Sequence, residues 1–163
     1  MEQSQSGATP ALTYLIERGI ACEELTYEHT DGFEGGFGVE AAAKLGASTD
    51  DVFKTLMLEA DSRAVAVLIP ASHRLSLKKV ARSIGAKRAE LMDPKKAQQR
   101  SGYVVGGISP FGQKQPHELV VDEGVLALTH MIVSGGRRGL SLRMKVTDFL
   151  DVSRATVADI VAQ

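Results

Sequence analysis

FKTLMLEADSRAVAVLIP, residues 53–70, is the stretch on which the fold turns. Phe53, Thr55 and Met57 alternate with Lys54, Leu56 and Leu58, so both faces of this segment are mostly apolar, as in a strand lying inside a sheet. The run 64–69 is again apolar, and Asp61-Ser62 between the two is a short polar pair suited to a tight turn. Strands are therefore expected over 53–60 and 64–69. Lys54 breaks the apolar pattern. It either reaches water from a strand end or is an ammonium held at a pocket mouth, where a partly desolvated charge binds phosphate or a polarised ester oxygen.

Upstream, Thr9-Pro10 ahead of Ala11, Leu12, Leu15 and Ile16 marks a capped helix start, and Gly19 supplies its stop. A strand is expected over 20–28, a glycine-rich loop over 30–38, and a short helix over 39–45 closed by Gly46. Ser48 and Asp51 suggest one more capped turn of helix. Downstream, Ser76 can cap a helix through Ile84 whose Leu77, Val80, Ala81 and Ile84 share one face, leaving Lys78, Lys79 and Arg82 outward. Asp93-Pro94 opens another short basic helix ending near Gly102. Strands are expected over 103–105, 119–121, 131–133 and 140–144, with a last helix from Thr147. Helices and strands intermix without regular alternation, which predicts an α+β domain with a mixed sheet, not a doubly wound one. At 163 residues one domain is expected, with residues 1–8 a flexible tail.

No apolar run reaches the roughly 20 residues that span a bilayer, and the amino terminus lacks the basic-then-apolar order of a leader, so a cytoplasmic location is expected. The lone Cys22 cannot close an intramolecular disulfide and is expected in a strand of the core. His29, His73, His117 and His130 show no metal-ligand spacing, so neither a metal nor another cofactor is expected. Net charge is −1, but its distribution is uneven. Residues 1–70 carry 4 Lys and Arg against 12 Asp and Glu, whereas residues 71–163 carry 15 against 8. Between Ala71 and Lys114 ten basic residues face only Glu90 and Asp93. Such a field can hold a polyphosphate, or it can be a set of solvated helix faces.

Two glycine-rich segments could carry chemistry. In Gly106-Gly107-Ile108-Ser109-Pro110-Phe111-Gly112 the paired glycines leave backbone N–H groups open to a ligand, as an oxyanion hole or ribose grip would need, unless the segment is simply a turn. Ser109 does not stand in a G-x-S-x-G elbow, so it is not an evident nucleophile. Ser134-Gly135-Gly136-Arg137-Arg138-Gly139 places two guanidinium groups on a turn between strands, suited to phosphate or to solvent.

Together, Tyr27-Glu28-His29, Phe53-Lys54-Thr55-Leu56, the run 102–114 and Ser134-Gly135-Gly136-Arg137-Arg138-Gly139 occur in the order and approximate spacing of the YbaK family of cysteinyl-tRNA(Pro) deacylases, and the resemblance extends from Pro10 to Ile160. It implies a mixed β-barrel-like core with helices outside, similar to the editing domain of bacterial prolyl-tRNA synthetases. By resemblance Lys54 is the lysine required for deacylation, and Gly106 and Gly107 are the backbone approaching the ester. Tyr27 and Phe37 form the pocket wall, with Ser109 and Pro110 beside the substrate. The expected tRNA contacts are Lys78, Lys79, Arg82, Lys114, Arg137 and Arg138. The expected partners are a tRNA acceptor end and, as a second candidate, prolyl-tRNA synthetase. The glycine-rich 31–36 departs from the family's usual loop. A non-catalytic module that binds tRNA ends or a synthetase is the alternative reading, and a small-molecule ester or thioester hydrolase is a third.

Overall fold

The computed structural model describes residues 9–163; the expected tail, 1–8, lies outside the described residues. Its centre is the hairpin of β2 (Phe53–Ala60) and β3 (Arg63–Pro70), paired antiparallel with Ala60 opposite Arg63. Asp61 and Ser62 both take left-handed φ, 49° and 73°, which matches the twist of the flanking strands in a two-residue loop. The strain of two non-glycine residues there is offset by the Asp61 carboxylate, which accepts from the N–H groups of Lys87 at 2.7 Å and Arg88 at 3.2 Å.

Five strands form the larger sheet in the order β4-β2-β3-β5-β8, where β4 is Ala89–Leu91, β5 Glu118–Asp122 and β8 Thr156–Ala158. The β3–β5 and β5–β8 pairs are parallel and the others antiparallel, so this sheet is mixed. Both faces of the hairpin are buried, as the alternation required. Leu58, Val65, Val67 and Ile69 pack with Val80 and Ile160, while Phe53, Met57, Ala66 and Leu68 pack into the larger core with Phe111, Met131 and Phe149. The second sheet has the order β1-β7-β6, with β1 Glu23–Thr26, β6 His130–Arg137 and β7 Leu140–Lys145.

The α+β class is as expected, but the sheets are not closed into a barrel. Among the described residues the two sheets meet through a single bridge, Val52 with Ile132. Beyond it β2 is taken up by β3 on one side and by β4 on the other, and β4 covers only Leu58 to Ala60. The edge of β2 from Phe53 to Met57 is left without a strand partner on that side among the described residues.

Among the described residues five α-helices flank the sheets: α1 (Pro10–Glu17), α2 (Phe37–Leu45), α3 (Leu77–Ser83), α4 (Pro94–Ser101) and α5 (Val146–Ser153). Thr9, Ser76 and Asp93 cap α1, α3 and α4 through side-chain oxygens, and Gly46 ends α2 in a left-handed conformation. Several local expectations are corrected. Residues 103–105 are a loop, because Val105 N–H donates to Gln98 Oε1 at 2.9 Å and Tyr103 N–H donates to Ser101 Oγ at 3.1 Å in place of ladder bonds. Ser48 to Asp51 is a turn closed by the Asp51 N–H to Ser48 O bond, not a helix. The early strand is shorter than 20–28, and half-buried Cys22 precedes it. The turn expected over 134–139 shrinks to Arg138-Gly139, because β6 runs on through a register shift between Ser134 and Arg137.

Candidate active site

A cavity of about 420 Å³ lies along the uncovered edge of β2. Because the strand is seen edge-on, consecutive residues from Val52 to Met57 line it, including Lys54 and Thr55. Lys54 is half-buried and, among the described residues, its ammonium makes no hydrogen bond or ion pair. Burial pushes its ammonium pKa below the ordinary lysine value. Gly38 in the first turn of α2 makes room for this arrangement, since a Cβ there would stand 2.9 Å from the Cβ of Ala71 and 3.6 Å from that of Lys54. A side chain at 38 would lift the helix from the strand that carries the lysine.

Phe37 begins α2 and forms the mouth of the cavity, 37% exposed. Its ring stacks on His29 at 5.5 Å and lies against Gly106, where a Cβ would come within 2.5 Å of the ring. Gly106 also has φ +89°, so glycine is required there on two counts. The Arg138 guanidinium stands 5.0 Å from the Phe37 centroid, and its Nε donates to Val105 O at 2.9 Å.

Behind this wall is Glu40, fully buried on α2. Burial opposes its charge, but Lys44 Nζ at 2.8 Å, the Thr30 N–H at 2.6 Å and His29 Nδ1 at 2.6 Å outweigh that cost and hold its pKa down at about 2. His29 Nε2 meets Asp31 Oδ1 at 3.0 Å. The glycine-rich loop is thus tied to α2 through one carboxylate, and the ring that Phe37 stacks on is held by the same group. Tyr27 lines the cavity; burial first, and then the charge of Glu40, raise its pKa and keep it a phenol.

The structure brings together Lys54, Tyr27, Phe37, Gly106 and Arg137 around one cavity. Gly107, Ser109 and Pro110 are buried and stand outside its lining. The Gly107 N–H donates to Val104 O at 2.8 Å, and a Cβ at 107 would meet the backbone of Arg137 and Arg138 at 2.8–2.9 Å. This glycine lets the 104–107 turn lie against the β6–β7 turn. Ser109 Oγ accepts from the Phe111 N–H at 3.2 Å.

The basic residues divide. Lys78 and Arg82 are exposed on α3, but Lys79 is committed to Asp159 at 2.8 Å and to Val161 O at 2.9 Å. No residue of α3 lines the cavity, whereas α4 supplies Pro94 and Ala97 and carries Lys95, Lys96 and Arg100. Lys114 is exposed, its stem beside Gly102. Sequence reasoning missed Glu40, Gly38 and the placement of α4 at the cavity.

Residues 38–152 match the aminoacyl-tRNA editing domain. The chain belongs to this family. Among curated relatives, a protein of Enterococcus faecalis named as a candidate Cys-tRNA(Pro)/Cys-tRNA(Cys) deacylase, EbsC, is 30% identical over 123 residues, 75% of each chain. The proline–tRNA ligase of Desulfotalea psychrophila is 30% identical over 107 residues, which is 66% of this chain and 18% of the ligase. Of solved structures, a hypothetical protein superposes with a TM-score of 0.83 at 26% identity, covering 94% of this chain and 99% of its own. A candidate trans-editing enzyme for prolyl-tRNA synthetase gives a TM-score of 0.82 at 24% identity over 99% of this chain and all of that one, a likeness of fold. Editing domains of this family are aminoacyl-tRNA deacylases. Among the described residues no helix is long and apolar enough to cross a membrane.

Proposed function

We propose that this editing domain acts in trans on Cys-tRNA(Pro), with the terminal ribose and ester in the cavity beside Lys54. The observation that carries this reading is an ammonium without a partner among the described residues, half-buried in the lining of a mostly apolar cavity to which Arg137 also contributes. A charge in that setting favours a group that becomes negative, such as the carbonyl oxygen of an ester under attack. The cavity is within the size range of small-ligand sites and admits the end of a tRNA more readily than its body.

The attacking group comes from the substrate. Cys22 lies outside the cavity and burial raises its thiol pKa, while the Ser109 hydroxyl is engaged by Phe111 and has no base beside it in the hydrogen-bond network. The cysteinyl thiol is one methylene from the α-carbon of its own ester, so its sulfur can bond to the carbonyl carbon as the bond to the ribose oxygen breaks. The thiol proton ends on that ribose oxygen, and water then opens the four-membered cyclic thioester to free cysteine. Lys54 holds the carbonyl oxygen through the step, and Tyr27 and Phe37 confine the ester. Backbone at Gly106 stays in reach because glycine there leaves no side chain in the way.

Prolyl-tRNA synthetase, which releases the mischarged tRNA, is the proposed partner that selects among tRNAs, and the cytoplasm is the proposed place of action. Comparing cysteinyl and seryl esters of one tRNA tests the mechanism. Cysteinyl ester loss should be much the faster, with no aminoacyl adduct on the protein in rapid-quench mass spectrometry; equal rates or a trapped adduct would overturn it.

A further inference from the structure

His29 stands outside the cavity lining, yet it touches two residues one turn apart on the same face of α2, Phe37 and Glu40. Its Nδ1 meets Glu40 Oε1 at 2.6 Å, and its ring stacks on that of Phe37 at an interplanar angle of 26°. We propose that His29 is a positioning residue for the editing reaction: it joins the two ends of the glycine-rich loop and, by stacking, sets the Phe37 ring at the mouth where the terminal nucleotide enters. This rests on the editing reading given above.

The two oxygens of the Glu40 carboxylate are served differently. Oε2 accepts from the Thr30 N–H and from Lys44 Nζ, whereas Oε1, among the described residues, is met by His29 alone. The Glu40 side chain has no exposed surface, so losing that bond would leave a buried charge short of a donor, and the carboxylate therefore fixes the imidazole. Phe37 is less well anchored by its own helix. It is the first residue of α2, Gly36 before it makes no side-chain cap bond, and Gly32, Gly35 and Gly36 of the preceding loop all take positive φ. An exposed ring on such a backbone can swing toward solvent unless a fixed partner holds it, and the imidazole tied to Glu40 is that partner. Gly35 and Gly36 also line the cavity, so the same side chain sets the loop side of the wall.

Two substitutions separate the ring from the hydrogen bond. His29→Asn keeps a donor near the Nδ1 position and loses the ring, while His29→Phe keeps a ring and loses the donor. KM for Cys-tRNA(Pro) should rise about three- to tenfold in His29→Asn with kcat little changed, as loss of one aromatic pair predicts, and stay near wild type in His29→Phe. Stability should run the other way, with Tm about 3–10 °C lower in His29→Phe and within about 3 °C of wild type in His29→Asn. In a Phe37→Leu background the KM effect of His29→Asn should vanish. Fluorine NMR of protein carrying 4-fluorophenylalanine reads the ring without any substrate, the Phe37 signal being assigned by its loss in Phe37→Leu. Its solvent isotope shift, a measure of ring exposure, should grow in His29→Asn and hold in His29→Phe. That pattern supports the proposal even if the wild-type protein proves inactive on cysteinyl-tRNA, which would count against the editing reading alone. An unchanged Phe37 signal in a folded His29→Asn, equal losses in both variants, or a KM rise that persists in full without Phe37 would overturn it.

Discussion

Replacing Lys54 with Met removes the ammonium while keeping most of the stem. The lysine donates to no protein group among the described residues, so the substitution breaks no hydrogen bond or ion pair there, and burial already disfavours its charge. Stability should therefore change by less than about 0.5 kcal/mol or rise slightly, which for a domain of this size is a Tm shift of about 2 °C or less. Turnover should behave differently. Loss of one donor to a developing oxyanion costs about 10²–10³ in kcat, or about 3–4 kcal/mol of barrier, and this is the drop expected in single-turnover deacylation. The pH profile gives a second reading. Because burial lowers the Lys54 pKa, the group loses its proton, and the rate its support, as pH rises through that lowered value, earlier than an ordinary lysine would allow. Lys54→Arg keeps the charge throughout and should lose this alkaline decline even if its rate is lower. A folded Lys54→Met with wild-type turnover, or an alkaline limb identical in Lys54→Arg, would refute the reasoning.

Other perturbations follow from the same geometry. Gly106→Ala should displace the Phe37 ring and strain a backbone at φ +89°, costing about 1–2 kcal/mol and raising KM; a crystal structure with Phe37 unmoved and normal kinetics would count against the wall. Glu40→Gln should destabilise by about 3 kcal/mol at neutral pH. With the wild-type carboxyl held at about 2, that gap is full above the ordinary glutamate pKa of about 4.3 and closes as pH falls toward 2, so urea titrations giving a gap independent of pH would contradict the assignment. Neutralising Lys78 and Arg82 should flatten the salt dependence of tRNA affinity by about one unit of slope for each phosphate they would otherwise neutralise, with a smaller effect at Lys79, already paired with Asp159; equal effects at all three would mean that pairing does not persist.

Much of this was legible in the chain because the signals were local. The alternation 53–58 announced a strand buried on both faces, and Thr9, Ser76, Asp93 and Gly46 marked helix ends by chemistry confined to a turn. Lys54 stood out as a charge in that apolar pattern. What escaped depends on contacts between distant segments. Glu40 reads as an ordinary helix-surface acid until His29 and Thr30 fold onto it, and Gly38 matters only because Ala71 lies opposite. Tyr103-Val104-Val105 has strand composition, but the side chains of Gln98 and Ser101 take its backbone N–H groups, so no ladder forms. The strands β4 and β8, three residues each, are too short to show a period.

The central claim is that this chain removes cysteine from tRNA(Pro). Incubating the purified protein with Cys-tRNA(Pro) and, separately, Pro-tRNA(Pro), and following ester loss by acid gel against a no-enzyme control, tests it most directly. Rapid loss of the cysteinyl ester with the prolyl ester left intact is the predicted result; a cysteinyl ester that decays at the uncatalysed rate would contradict the account.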